Sequence, residues 1–184
     1  NNHVDGVSAG DTLSGQYNSV AGHDAADYLS GTYNSISGNS SGTSLTGQHN
    51  TVTGSNAGDV LSGRYNDVSG YVAGVRLTGD SNTVSGNGAA TNLSGISNTV
   101  FGSGSGDYVS GNNNTVIGND TGTSLSGNAN DVVGFRAGDG LSGSNNSVVG
   151  AEAGDSLSGA QNAVFGYDAA DYLSGTYNNV FGNN

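Results

Sequence analysis

The chain has 184 residues, of which 34 are Gly and none is Pro, Cys, Met or Trp. Fifteen acids stand against three arginines and no lysine, for a net charge of -12. Such a surface argues against nucleic acid and anionic membranes as partners. The absence of cysteine excludes disulfides and thiolate metal sites, and no apolar run is long enough for a membrane span.

One 16-residue unit recurs without slip from Asn1 to Asn184, about 11.5 times, with the consensus L-S-G-x-x-N-x-V-x-G-x-x-A-G-D-x counted from Leu13. Gly and Asn richness without a period would indicate disorder. A strict short period instead indicates stacked coils that satisfy one another's backbone groups. The chain opens on Asn rather than Met, so it reads as a processed or excised form, which leaves room for a removed secretion signal. A single continuous domain over 1–184 is expected, without linker.

Each unit divides into two half-repeats, A-G-D-x-L-S-G and N-x-V-x-G. Position 1 is Leu in every copy but Val109, and position 8 is Val in every copy but Ile36. Polar and Gly residues alternate around both, which is strand periodicity with Leu and Val facing inward. The apolar spacing of seven then nine lacks the three-and-four partners of a helix. Gly-containing segments between the strands read as corners. Two strands and two corners per unit give an all-β, two-faced parallel β-solenoid, or β-roll. At about 4.8 Å per coil it should be roughly 55 Å tall.

The core is thin, so polar ladders must contribute. Position 6 is always Asn: Asn18, Asn34, Asn50, Asn66, Asn82, Asn98, Asn114, Asn130, Asn146 and Asn162 between the end copies. An inward amide at each corner can donate to the same residue one coil away, so this column is expected to be a structural ladder.

The half-repeat N-x-V-x-G, as in Asn18–Gly22, Asn82–Gly86 and Asn114–Gly118, resembles the ryegrass-type ice-binding proteins. That resemblance implies a left-handed β-roll with one flat ice-binding face. The other half-repeat is two residues longer and resembles repeats of bacterial adhesin heads and secreted solenoid fibres.

The outward columns carry the functional signal. Position 2 is always Ser or Thr, and Ser14, Ser30, Thr46, Ser62, Thr78 and Ser94 form a possible ice face. Its neighbour, position 16, includes Tyr28, Arg76 and Tyr108, which spoil flatness. On the opposite face, position 7 is mostly Ser or Thr, interrupted by Asp67, Asp131, Ala163 and Asn179. Position 9 runs Ala21, Ser37, Thr53, Ser69, Ser85 and then turns apolar at Phe101, Ile117, Val133, Val149, Phe165 and Phe181. A contiguous apolar strip marks an association surface.

Position 15 is Asp in seven copies, Thr at Thr43, Thr91 and Thr123, and Val at Val75. A calcium ladder of the secreted-toxin type would need unbroken carboxylates, whereas turn chemistry accepts either residue; the second fits. His3, His23 and His49 fall at three repeat positions, so no metal centre or catalytic cluster is expected, and neither enzyme activity nor a cofactor. N-x-S/T sequons at Asn39, Asn92, Asn113, Asn119 and Asn145 permit glycosylation.

Both ends keep the repeat register, with Val4 and Val180 in matching half-repeats, and His23–Gly38 matches Tyr167–Gly182 at 12 of 16 positions. Uncapped edges invite end-to-end growth. The sequence therefore favours an extracellular structural protein that is its own partner, polymerising head-to-tail and bundling laterally into a filament. Ice binding stands second, and an adhesin stalk or head third.

Overall fold

The computed structural model describes residues 1–183 and contains two parallel sheets and no helix. The Val sheet has 12 strands, from His3–Asp5 to Asn179–Phe181, and the Leu sheet has 11, from Thr12–Ser14 to Ser174–Thr176. Every strand pairs with the strand one coil away, in strict sequence order within each sheet. Register follows the repeat: Val4 lies beside Val20, Leu13 beside Leu29, Leu77 beside Leu93. The chain is thus a parallel β-solenoid with 16 residues per coil.

Leu and Val meet between the sheets. Leu45, Val52, Leu61, Val68, Leu77 and Val100 are all fully buried, and Ala57, Ala73 and Ala137 of position 13 fill the third core column. Short strands suffice because each backbone group finds its partner in the next coil. Thr83 N–H, for example, donates to the Asn98 carbonyl at 2.9 Å, and Gly86 N–H to Ser69 at 3.0 Å.

The invariant glycines have a different role from simple corner residues. At Gly63 the backbone runs at φ +143°, and a Cβ there would overlap the carbonyl oxygen of Gly79 in the next coil. Position 3 is therefore Gly because coils approach too closely for any side chain. The tight left-handed corners fall instead at positions 5, 12 and 14, on residues such as Tyr33 (φ 60°), Asp24 (φ 50°) and Gly58 (φ 56°).

The Leu sheet has one seam. Up to Ser124–Ser126 each strand pairs over three or more residues, but Ser126 and Ser142 make the single bridge to the next. Beyond it, Gly140, Ser156 and Tyr172 take positive φ. At the last two the backbone bond reverses direction: Ser156 N–H donates back to the Asp139 carbonyl at 2.7 Å and Tyr172 N–H to Asp155 at 2.9 Å, where Tyr108 N–H donates forward to Thr123. Leu141 and Leu157 stay fully buried across the change.

Candidate functional site

The Asn column is a continuous amide ladder from Asn2 to Asn178. Asn82 shows the pattern. Its Nδ2 donates to Asn66 Oδ1 at 3.0 Å and to the Gly95 carbonyl at 2.9 Å. Its Oδ1 accepts the backbone N–H and the Nδ2 of Asn98, both at 3.0 Å. All four hydrogen-bonding capacities of the amide are spent inside the stack, so this column holds coils in register and leaves nothing for a ligand.

Position 15 is a second ladder. Thr43 Oγ1 donates to the Asp59 carboxylate, Thr91 to Asp107 at 3.0 Å, and Thr123 to Asp139 at 2.9 Å. Where Thr is missing, carboxylates stack. Asp155 lies between Asp139 and Asp171, and its buried Oδ1 has no hydrogen-bond partner among the described residues. Burial, reinforced by those two neighbours, pushes its carboxyl up to about 6. Asp27, above Asp11, is raised for the same first reason, with Asp24 and Asp11 adding to it. Among the described residues no group of three or more His, Cys, Asp or Glu is arranged to hold a metal ion. The three histidines lie apart: His23 Nδ1 faces Asp24 Oδ2 at 2.7 Å, and His49 is part of a ring stack.

That stack is a feature the sequence reading missed. Tyr17, Tyr33, His49 and Tyr65 pile ring on ring at 4.9, 4.9 and 5.0 Å. The signal was present, since all four occupy position 5 of consecutive copies. Arg64 and Asp80, one coil apart at position 4, likewise pair at 2.8 Å, and this bond holds the Asp80 carboxyl below its usual range.

The outward columns make two faces. On the Leu sheet, Ser14, Ser30, Thr46, Ser62, Thr78 and Ser94 are all exposed, but Tyr28, Val60, Arg76 and Tyr108 stand exposed beside them. On the Val sheet the lower half differs from the upper. Five consecutive rungs carry paired small residues, Ser19/Ala21, Ser35/Ser37, Thr51/Thr53, Asp67/Ser69 and Thr83/Ser85. They are spaced about 4.8 Å up the stack and about 6.7 Å along the strand, over a height of about 19 Å. Above them the position 9 column turns apolar. Phe101, Ile117 and Phe181 are exposed, while Val133, Val149 and Phe165 are half-buried between their neighbours. Phe165 and Phe181 stack at 5.2 Å. Val4 and Val180 lie in the first and last strands of the Val sheet; Val4 is exposed and Val180 half-buried.

A family model described as the grass antifreeze beta roll matches residues 4–105. That stretch contains all five paired rungs. No curated protein matches the chain, and no solved structure does. Since the match covers more than half of the 184 residues, the chain belongs to the grass antifreeze β-roll family.

Proposed function

We propose that this protein binds ice, and that the lower half of the Val sheet, from Ser19 to Ser85, is the surface that does so. Ice is a flat, rigid lattice. A protein face complements it only when its groups lie in one plane, repeat at a fixed spacing and are already held in place before contact. The carrying observation is the paired column of small, mostly hydroxyl side chains on five in-register rungs. Hydroxyls fixed by a hydrogen-bonded backbone can order first-shell water at the rung spacing without further immobilisation cost. The family supports the same reading, and reverses the order the sequence alone suggests, in which a filament stood first. The second-position column offers hydroxyls too, but its neighbours interrupt the plane.

Thermal hysteresis tests the assignment. The parent chain should shape ice at micromolar concentration. A Thr51→Tyr/Thr53→Tyr variant should lose most of that activity at unchanged melting temperature, since both sites are exposed. Ser62→Tyr, on the opposite face, should keep it. Activity lost in Ser62→Tyr but kept in the double variant would move the ice face to position 2. No hysteresis in the parent would overturn ice binding.

A protein with this function acts where ice forms first, outside cells, and we place it there. Axial self-assembly through the strands of Val4 and Val180 ranks second. It is favoured by the unbroken parallel register of the Val sheet, whose strands all pair in sequence order. Long uniform fibres in negative-stain micrographs would put it first.

A further inference from the structure

The upper half of the Val sheet does not share the chemistry of the lower half. Its outer columns from Thr99 to Phe181 contain one charged residue, Asp131, in a chain with a net charge of -12. Phe101, Ile117, Val133, Val149, Phe165 and Phe181 run up it as one strip, about 24 Å tall over six rungs. At the adjacent corner Phe135 and Tyr167 are also exposed, and they widen it. Two molecules of this protein repel each other over most of their surfaces. This strip is where they can touch without bringing many carboxylates together.

We infer that two copies pair strip on strip, with their stacking axes antiparallel. Three observations choose the second copy and this orientation. The strip repeats at the rung spacing, so a second strip has identical spacing, and the side chains of one can settle between those of the other, as in a steric zipper. A two-fold axis along the strand direction lays the position 9 columns together and makes a closed, isologous contact. It also leaves the hydroxyl rungs of both copies uncovered, one set at each end and on opposite sides. The parallel arrangement would instead bury Ser19–Ser85 of each copy against the other, desolvating hydroxyls without partners.

The axis passes between the rungs of Val133 and Val149. Phe101 then meets the second copy's Phe181, and the two Asp131 carboxylates come about one rung apart. The strip is about 10 Å wide, and even with its flanks it is well below the ~800 Å² per partner of a standard interface. The pair is therefore weak and reversible.

Sedimentation equilibrium of the full chain from 10 µM to about 1 mM should show a monomer–dimer equilibrium, with a dissociation constant in the high micromolar range. Phe165→Ser/Phe181→Ser should weaken it at least tenfold. Asp131→Asn should tighten it several-fold, and this exposed change does not threaten the fold. Nitroxides placed by Ser30→Cys should lie roughly 70 Å apart in the antiparallel dimer and under about 40 Å in a parallel one. Circular dichroism verifies that each variant keeps its sheets. Should the Phe double variant not fold, Asp131→Asn and the label distance still decide. A chain monomeric at 1 mM, a dimer unmoved by both substitutions, or the shorter distance would overturn the proposal.

Discussion

Amides are unusual occupants of so thin a core, and Asn82 shows why they are retained. Removing its side chain strands the Gly95 carbonyl and the Asn98 N–H, and takes one of two hydrogen bonds from both Asn66 Oδ1 and Asn98 Nδ2. Each buried orphan costs about 1–3 kcal/mol. Asn82→Leu should therefore destabilise by roughly 3–5 kcal/mol despite adding apolar volume, whereas Ser62→Ala, on an exposed hydroxyl, should stay within about 0.5 kcal/mol. Chemical denaturation of the two variants checks the contrast. Asp155 behaves oppositely. Its carboxyl titrates at about 6 rather than at the ordinary 3.8. The folded state thus holds the proton more tightly than the unfolded chain does. The stability this group contributes is complete below about pH 4 and is lost as pH rises through 6. Asp155→Asn should raise the melting temperature at pH 8 and leave it nearly unchanged at pH 3.5. A gain confined to acid pH would contradict the assigned cause, which is burial next to Asp139 and Asp171.

At the scale of the strand, the sequence states the fold almost completely, because one period answers every question of pairing. Leu13 can lie only beside Leu29, and Val4 only beside Val20, if each coil repeats the last. What the period cannot show is where coils depart from one another. The glycines at positions 3 and 10 read as corners, yet Gly63 is required by the carbonyl of Gly79 in the next coil. Of the left-handed corners only position 14, as at Gly58, carries a glycine signal, while those at Tyr33 and Asp24 carry none. The seam after Ser126 is equally silent, since Leu141 and Leu157 keep their columns while the residue before each takes positive φ. The ring stack from Tyr17 to Tyr65 and the Arg64–Asp80 pair were visible as columns but become contacts only once coils are known to lie about 5 Å apart. The paired hydroxyls of the Val sheet were also written in the sequence. Their interruptions at Asp131, Ala163 and Asn179 weigh against them only when the face is read over its whole length, and Asp67 alone falls within the Ser19–Ser85 rungs. The Thr–Asp bonds of position 15 make a chelator test worthwhile. Because hydrogen bonds, and not a cation, link Thr91 to Asp107 and Thr123 to Asp139, the β signal in circular dichroism should be indifferent to excess chelator.

For the whole molecule, a repeat this regular makes stability close to a sum over coils and their interfaces. Coils should then be removable one at a time, provided that 16 residues leave together. Deleting 51–66 joins Asn50 to Asp67 and takes out the Thr51/Thr53 rung. Deleting 115–130 joins Asn114 to Asp131 and takes out the Thr115/Ile117 rung. Both junctions reproduce the native Asn-to-position-7 step, so ladders, core and register continue through them. Both shortened chains should fold, with melting temperatures within a few degrees of each other. Their activities should separate. The first deletion shortens the hydroxyl face from five rungs to four and removes its one rung of paired threonines, so thermal hysteresis should fall. The second leaves that face intact and should leave hysteresis unchanged. Deleting only 51–58 shifts every later residue by eight positions, which turns the Leu column to outward position 9 and the Val column to outward position 16, sets the residues of positions 9 and 16 against the core, and should abolish cooperative melting. If the two full-coil deletions lowered hysteresis equally, activity would depend on the length of the stack and not on the Ser19–Ser85 face.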